Sequence, residues 1–333
     1  MSVLLITRSD DNTSVDAVAS AIRRRGGAPI RVDTDRYPEL VRISTRYEET
    51  RARRTLRLPE GTFDLGEVEA VWYRRFHAGA ALPSALSDLR QPCVDEARRT
   101  LLGTIAALDC FQMDPLESVR RTDHKELQIL RAAQLGLDVP RTLFSNDPDD
   151  VRDFYRDVGG VVTKMQSSFA IYRGGVENVV FTNVVHNEDL DDLSGLRFCP
   201  MVFQEHLPKA LELRVTVVGR KVMAASIDSQ RSALTQVDWR RDGVGLLEDW
   251  RPYTLPESVE RGLLALLSSL GLNYGAADFV VTPDARHVFL EVNAVGEFFW
   301  LERAPGLPIA ESIADILLGR AERAIPRLNA PEK

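Results

Sequence analysis

A segment near the C-terminal end decides the fold, and it reads Asp278-Phe279-Val280-Val281-Thr282-Pro283-Asp284-Ala285-Arg286-His287-Val288-Phe289-Leu290-Glu291-Val292-Asn293. Two largely apolar runs flank the stretch Pro283 to Arg286, which predicts an antiparallel hairpin. If Thr282 faces His287, the constant sum of position numbers in an antiparallel pair puts Asp278 across from Glu291. Asn293 then shares their face. The other face carries residues that we expect in the core, namely Phe279, Val281, Val288, Leu290 and Val292.

Two carboxylates that oppose each other on one sheet face repel, so this pairing favours a cation between them. Asp278, Glu291 and Asn293 offer oxygen ligands, which suit Mg²⁺ because this ion keeps few protein ligands and takes the rest from waters and phosphates. The alternative is an ordinary hairpin with a polar outer face. A register slip of one residue would abolish the pairing.

Two lysines are candidates for binding phosphate. Lys125 lies in the first turn of a predicted helix, where the helix dipole mildly disfavours a cation. Lys164 lies within the apolar strand Val161 to Met165 and either points outward or meets a phosphate as a point charge. The small polar stretch from Gln166 to Ala170, followed by Arg173-Gly174-Gly175, could close over phosphates, although it matches no Walker A pattern.

The strand Met201 to Glu205 runs into His206-Leu207-Pro208, where free backbone groups could bind an adenine edge. Glu212 and Arg214 alternate, so they share one face of the next predicted strand. There they could bind ribose hydroxyls and a phosphate. The alternative is a cross-strand ion pair, worth well under about 1 kcal/mol when exposed.

The N-terminal part alternates apolar strands with a helical stripe. The run Val3 to Thr7 predicts a strand buried on both faces, a helix follows to Gly26-Gly27, and further strands are expected near Ile30 and Val71. This order predicts a parallel sheet, whereas the hairpins beyond residue 205 predict an antiparallel one.

The sequence leaves the roles of two basic stretches undecided. Arg51 to Arg57 is either a solvated strand or a surface that binds an acidic partner. Arg74 and Arg75 lie at the end of the strand Val71-Trp72-Tyr73, where a contact with a ligand is favoured.

Composition narrows the class of protein. The 333 residues are 44% hydrophobic and 27% charged, which is a globular balance, with a net charge of -7. That charge argues against a surface devoted to nucleic acid. No apolar run approaches a membrane span, and no secretory signal is visible at the N-terminus. Cys93, Cys110 and Cys199 predict reduced thiols, so we expect a cytoplasmic protein.

Together these residues form an ordered set that resembles the ATP-grasp superfamily. The set covers about residues 123 to 303 and comprises Lys125, Lys164, Gln204-Glu205, Glu212-x-Arg214 and Asp278 with Glu291-x-Asn293. Longer stretches resemble the microviridin-type peptide ligases, the maturases of graspetides. They are Leu4 to Arg8, Val71 to Arg75, Lys164 to Phe169, Glu212 to Gly219, Asp238-Trp239-Arg240 and Gly296 to Glu302.

The resemblance implies an α/β fold that becomes α+β towards the C-terminus. Its expected parts are an N-terminal pre-ATP-grasp domain (1–120), a central ATP-grasp subdomain or lid (121–205), a C-terminal subdomain with the metal site (206–325) and a loose tail (326–333). The implied enzyme is an ADP-forming ligase that joins Asp or Glu side chains of a ribosomal precursor peptide to Ser or Thr hydroxyls or to Lys amines.

The resemblance also implies roles for single residues, with ATP and Mg²⁺ as cofactors. Lys125 and Lys164 would contact the α- and β-phosphates, Glu205 and the backbone of Leu207 would frame adenine, and Gln204 would also belong to the ATP-binding site. Glu212 would bind ribose. The remaining assignments are Arg214 and Arg240 at the phosphate and acyl-phosphate, Asp278, Glu291 and Asn293 at Mg²⁺, and Arg74 and Arg75 as candidate peptide contacts.

The expected partners are a precursor peptide with a leader and a Thr/Glu-rich core, and a second copy of the chain in a homodimer. Neither nucleic acid nor membrane is expected. Two other functions stay open: a ligase for free amino acids or small carboxylates of the glutamate-ligase type, and a nucleotide-binding partner protein without turnover. One departure from the family is Ala294-Val295-Gly296, where relatives often have a proline.

Overall fold

The computed structural model describes residues 1–49, 51–166, 170–173, 176–242 and 245–325. Its N-terminal part is built on a parallel sheet in the strand order β2-β1-β6-β7. The elements are β1 (Ser2–Thr7), α1 (Thr13–Arg24), β2 (Ala28–Asp33), β3 (Arg42–Glu48), β4 (Arg51–Leu58), β5 (Gly61–Asp64), β6 (Val68–Tyr73), α2 (Arg90–Ala106), β7 (Phe111–Met113) and α3 (Leu116–Thr122). The predicted parallel start is confirmed, and β1 is buried on both faces.

The basic stretch Arg51 to Arg57 forms β4, the middle strand of a small antiparallel sheet with β3 and β5. Leu56 points inward and is buried, whereas Arg53 and Arg57 are exposed. On the neighbouring strand β3, Arg46 faces Arg53 and Arg42 faces Arg57, so like charges oppose each other on the outer face. The stretch is therefore a half-buried strand, and its role as a docking surface stays a prediction.

The central part contains an antiparallel sheet in the order β12-β9-β13-β8. The elements are α4 (Lys125–Gln134), β8 (Thr142–Ser145), α5 (Pro148–Val158), β9 (Val161–Lys164), β10 (Ala170–Arg173), β11 (Val176–Val179), β12 (Asn183–Val185) and β13 (Met201–Glu205). The Asp147 side chain caps α5 by accepting from the Asp149 N–H. The polar stretch expected to close over phosphates falls partly on 167–169 and 174–175, which lie outside the described residues.

The C-terminal part is an antiparallel sheet in the order β16-β15-β14-β17-β18. The elements are β14 (Leu211–Val218), β15 (Lys221–Ile227), β16 (Arg251–Tyr253), α6 (Glu257–Leu270), β17 (Tyr274–Val281), β18 (His287–Asn293), α7 (Phe299–Arg303) and α8 (Ile309–Leu317). The predicted fold class is confirmed. The domain boundaries stay predictions, and the predicted tail 326–333 lies outside the described residues.

The hairpin β17–β18 has the predicted central pair but a different register near its turn. Asp278 faces Glu291, yet His287 faces Val281 and not Thr282. A register shift beside Asp278 makes Leu290 an extra residue, which is how a β-bulge changes which side chains share a face. Phe289 consequently packs edge-on against Phe279 in the core. Val288 is buried as predicted, but the prediction that Val288 and Leu290 share the face of Phe279 is wrong, because they cluster with Val280 and Leu207.

Buried polar contacts join the N-terminal and C-terminal sheets. Asp114, which follows β7, accepts hydrogen bonds from the Asn273 N–H (2.8 Å), the Asn273 side chain (3.2 Å) and the Tyr274 N–H (2.9 Å). These bonds fix the start of β17. Arg25 at the end of α1 pairs with Asp315 and Glu311 of α8.

Among the described residues, no helix combines the length and apolarity needed to cross a bilayer.

Candidate ATP and metal site

The two carboxylates that decide the site are neighbours on adjacent strands. Asp278 of β17 and Glu291 of β18 form a directly facing pair, and Asn293 lies two residues further along β18, opposite Ala276. Since residues two apart on a strand point to the same side, all three oxygen-bearing side chains lie on one sheet face. The geometry on which the metal prediction depends is therefore present.

Both candidate lysines reach this face. Lys125, the first residue of α4, places Nζ 3.5 Å from Glu291 Oε2, and Lys164, the last residue of β9, places Nζ 3.6 Å from the same oxygen. A helix, a strand of the central sheet and a strand of the C-terminal sheet thus converge on one carboxylate. Separate sequence signals predicted these residues, and the tertiary structure joins them.

The charge balance keeps Glu291 ionised. Burial alone would raise the pKa of Glu291, but the positive charges of Lys164, Lys125, Arg240 and Arg214 outweigh burial and lower the pKa to about 2. The site therefore holds a permanent negative charge surrounded by cations. These cationic side chains can bind the oxygens of a polyphosphate, while the carboxylate binds a metal ion.

Arg214 holds the second carboxylate. It faces Asp278 directly across β14 and β17, and its Nη1 donates to Asp278 Oδ1 and Oδ2 at 2.8 and 2.9 Å. Its Cζ lies 5.6 Å from the centre of the Trp300 ring, and Nη2 donates to the Glu297 carbonyl at 3.2 Å. The role predicted for Arg214 at a phosphate stays a prediction, because in this structure Nη1 binds Asp278 and Nη2 binds the Glu297 carbonyl.

The residues expected to surround adenine and ribose lie at the junction of the central and C-terminal sheets. Leu207 is buried in an apolar patch with Val280, Val288 and the partly buried Leu290, which suits the flat face of a base. Gln204 is buried, and its amide donates to Thr142 Oγ1 within the central sheet. The Glu205 carboxylate accepts from the Arg141 N–H at 3.4 Å. These roles stay predictions.

Glu212 has a basic partner that the sequence analysis missed. Lys209 Nζ lies 3.0 Å from Glu212 Oε1 and also donates to the Val237 carbonyl at 2.8 Å. Burial raises the pKa of Glu212, and Lys209 acts against that shift. The spacing of three residues between the two was the available signal.

Arg240 lies on a short segment tied to the central sheet. Asp238 accepts from Arg240 Nε at 2.8 Å and from Nη2 at 2.6 Å, and it also accepts from the Thr182 N–H at 3.2 Å. The Arg240 side chain is 50% exposed, so it can turn towards a ligand. Next to it, Trp239 packs against Trp250 and Trp300, a cluster that the sequence analysis did not identify.

Arg74 and Arg75 differ from one another in accessibility. The side chain of Arg74 is 2% exposed and is bound to the loop after Asn293, whereas that of Arg75 is 40% exposed. A contact between a peptide and Arg74 is therefore incompatible with this structure, since its guanidinium faces protein. The contact proposed for Arg75 stays a prediction.

A wide cleft of about 1010 Å³ lies elsewhere, at the edge of the central sheet opposite the segment around Ala233 and Leu234. Its rim carries Glu188, Asp189 and Asp192. Lys164 is the strand neighbour of Thr163, which lines the cleft, so the lysine points to the other sheet face. None of the residues predicted to bind ATP or metal lines this cleft.

The donor set is small. Among residues 1–49, 51–166, 170–173, 176–242 and 245–325 there is no group of three His, Cys, Asp or Glu side chains that could hold a metal ion. Two carboxylates and an amide instead suit an ion that completes its shell with water and phosphate oxygens, as Mg²⁺ does.

Comparison with known proteins places this geometry in a family. The model of the MvdD pre-ATP grasp domain matches residues 2–120. An RiPP-associated ATP-grasp ligase from Chryseobacterium gregarium, solved with ADP and a leader and core peptide, is 40% identical with a TM-score of 0.94, and the match covers 98% of this chain and 99% of that one. The macrocyclase MdnC from Microcystis aeruginosa MRC, bound with precursor peptide MdnA, is 44% identical with a TM-score of 0.87, covering 96% and 100%.

More distant relatives match about two thirds of the chain. A probable alpha-L-glutamate ligase from Shewanella loihica is 26% identical over 218 residues, which are 64% of this chain and 68% of that protein. The fold and the site define an ATP-grasp ligase. The chain belongs to the RiPP-associated ATP-grasp ligases that include these macrocyclases, as its resemblance to the microviridin-type peptide ligases predicted.

The depressed pKa of Glu291 predicts an acid-dependent part of the stability. Its ionised form stabilises the fold fully above the ordinary glutamate pKa of 4.5, and that contribution is lost as the pH falls towards 2. Glu291→Gln should therefore lower the free energy of unfolding by on the order of 1–3 kcal/mol at pH 6, and by progressively less below pH ~4.5. Urea unfolding at several pH values measures this, with the exposed Glu60→Gln as control. An equal deficit at pH 3 and pH 6 would contradict the assignment.

Proposed function

We propose that this chain uses ATP to phosphorylate Asp or Glu side chains of a ribosomal precursor peptide and joins them to Ser or Thr hydroxyls, or to Lys amines, within that peptide. The observation that carries the proposal is the convergence of Lys125 and Lys164 on Glu291, opposite Asp278. It occurs in a chain that is 40% identical, over nearly its whole length, to a ligase solved with ADP and a leader and core peptide.

The nucleotide would lie between the central and C-terminal sheets. Lys125 and Lys164 would contact its phosphates, exchanging Glu291 for phosphate oxygens as point charges. The apolar patch of Leu207, Val280 and Val288 would contact the base. Glu205 would bind the edge of the base, and Glu212 the ribose hydroxyls.

The residues present fit Mg²⁺. Asp278, Glu291 and Asn293 would hold it, because two facing carboxylates and an amide on one sheet face offer hard oxygen ligands. When bound, the ion would neutralise charge on the triphosphate. Around it, Lys125, Lys164 and Arg214 contribute fixed positive charge at the place where a phosphoryl group is transferred.

The chemistry proceeds in two displacements. An oxygen of the substrate carboxylate attacks the γ-phosphorus, the bond to the β-phosphate oxygen breaks, and an acyl-phosphate and ADP result. A hydroxyl oxygen or amine nitrogen then attacks the acyl carbon, the bond from that carbon to the phosphate oxygen breaks, and the proton lost by the nucleophile leaves on the released hydrogen phosphate. Arg240, which is half exposed beside the site, can reach the transferred phosphoryl group and stabilise its charge.

One other substrate class has support. The probable alpha-L-glutamate ligase from Shewanella loihica, at 26% identity, supports a free amino acid as the carboxylate or the amine. The higher identity to the peptide macrocyclases favours a peptide. A homodimer remains part of the proposal.

We assign the cleft on the central sheet to the part of the peptide that does not react. Its walls include Leu193, Leu196 and Leu234, and its rim carries Glu188 and Asp192. Apolar walls under an acidic rim suit a segment that presents apolar and basic side chains together. The cleft lies on the sheet face opposite Lys164, so binding there leaves the ATP site free.

The function predicts a loss of one water from the peptide for each bond formed. A precursor encoded beside the gene, incubated with ATP and Mg²⁺, should lose water by mass spectrometry and release ADP. The double variant Glu291→Gln/Asn293→Ala should reduce ADP release at least ~100-fold, because it removes transition-state stabilisation. Glu60→Gln serves as control. Unchanged turnover of the double variant would refute the metal assignment, and ADP release with free amino acids but not with peptide would favour the glutamate-ligase function.

Arg240→Ala should abolish ligation and leave nucleotide binding intact. The guanidinium is proposed to act on the transferred group and not on the base or ribose, so ADP affinity by calorimetry should change less than ~3-fold while product formation falls ~100-fold or more. The exposed Arg231→Ala is the control. A loss of ADP affinity comparable with the loss of ligation would place Arg240 at the nucleotide instead.

Charge reversal in the cleft should weaken peptide binding alone. Glu188 is exposed, so Glu188→Lys should fold normally and raise the KM for a precursor with a basic leader by about 10-fold, with kcat and ADP affinity unchanged. Glu39→Lys makes the same charge change on the N-terminal part. A lower kcat at constant KM would count against the cleft as the site for the part of the peptide that does not react.

A further inference from the structure

Arg74 is a buried arginine whose backbone and side chain are both fixed by polar contacts. Its backbone N–H donates to the Ile6 carbonyl at 2.9 Å, which fixes its Cα at the end of β6. Its side chain is 2% exposed, and Nε lies 3.6 Å from Asp11 Oδ2. Burying a guanidinium costs free energy unless its N–H donors are satisfied. The hydrogen-bond partners of Arg74 therefore indicate its role.

Those partners belong to the loop that follows the metal-site residue Asn293. Arg74 Nη1 donates to the carbonyls of Val295 and Gly296, and Nη2 donates to the Glu297 carboxylate. Glu297 also accepts from Ser14 Oγ and from the Phe298 N–H. We call the pair Arg74 and Glu297 the loop clamp. It connects the N-terminal sheet to the segment 295–297.

The clamped loop in turn supports Arg214. The Glu297 carbonyl accepts from Arg214 Nη2 at 3.2 Å, and Tyr274 donates its hydroxyl to the Gly296 carbonyl at 2.7 Å. A Cβ added at Gly296 would collide with the Ala276 methyl and lie 3.1 Å from Arg214 Nη2. The loop therefore lies against the guanidinium that holds Asp278.

We propose that Arg74 is a positioning residue that, through Glu297 and the 295–297 loop, holds Arg214 and thereby the Asp278 carboxylate in the geometry that metal-bound nucleotide requires. The inference rests on the proposed function of the site but assigns a task to a residue of the N-terminal sheet. It replaces the peptide contact expected for Arg74. Residues behind metal ligands commonly change metal affinity about 10- to 100-fold when they are altered.

The planar fork of arginine explains why this residue type is needed. Arg74 satisfies two carbonyls and one carboxylate from one rigid group, whereas a lysine is a single point charge that cannot span all three. Arg74→Lys retains the buried charge and loses the geometry. A matched control exists in Arg25→Lys, because Arg25 also joins the N-terminal part to the C-terminal part, through Asp315 and Glu311 of α8, and does not contact the 295–297 loop through any described bond.

The test compares Arg74→Lys with Arg25→Lys in the full chain. Isothermal calorimetry of ADP binding over a Mg²⁺ series should show that Arg74→Lys needs about 10-fold more Mg²⁺ for half-maximal binding. In the peptide assay kcat should fall about 10-fold or more, with the peptide KM changed less than ~2-fold. Arg25→Lys should leave the Mg²⁺ dependence, kcat and KM unchanged, whatever happens to its thermal midpoint.

Each other outcome overturns the inference. A raised peptide KM at constant kcat would make Arg74 a peptide contact, and a lowered thermal midpoint with unchanged Mg²⁺ dependence would make it purely structural. If Arg74→Lys does not fold, Glu297→Gln tests the same clamp and should raise the Mg²⁺ requirement by a smaller factor; no rise overturns it. A wild type that consumes no ATP with peptide would refute the proposed function, while the calorimetry would still decide the clamp.

Discussion

The structure of the site depends on a single, partly buried carboxylate that two lysines approach from different parts of the chain. Glu291 lies on β18, and Lys125 and Lys164 come from α4 and β9, so the ion pairs exist only when the central and C-terminal parts are docked. Removing one partner would leave uncompensated charge among partly buried side chains, which is costly. The charge pattern that prepares the site for a polyphosphate is thus the same pattern that holds its walls together.

The N-terminal sheet contributes to this site without supplying a residue to it. Asp114 fixes the start of β17, and Arg74 fixes the loop after β18, so both strands that carry the carboxylates are held from outside their own sheet. Arg214 lies between these two anchors and holds Asp278. Residues of the matched region 2–120 of the pre-ATP-grasp type therefore hold the elements that carry the candidate metal ligands.

The hairpin β17–β18 shows which features of strand pairing the residue pattern predicts and which it does not. The alternation of residues predicts that Asp278 faces Glu291, and the structure confirms this pair. The register assumed at the turn is nevertheless off by one residue. A bulge at Leu290 compensates for that error, and it puts Phe289, in place of Val288 and Leu290, on the face of Phe279. No local signal announces a bulge, because its position depends on what packs against each face.

By itself, the sequence determined the parallel start of the chain, the antiparallel hairpins beyond residue 205 and the identity of the oxygen and lysine groups, because apolar periodicity and residue chemistry are local properties. Only the tertiary structure decided that both lysines meet at Glu291, that Lys209 balances Glu212, and that Arg74 faces the interior while Arg75 stays accessible. Neighbouring arginines at a strand end look alike in sequence. Both follow β6 and both reach Asp11 and Glu297, but only Arg74 also donates to the carbonyls of Val295 and Gly296, and that contact with the loop after Asn293 buries it.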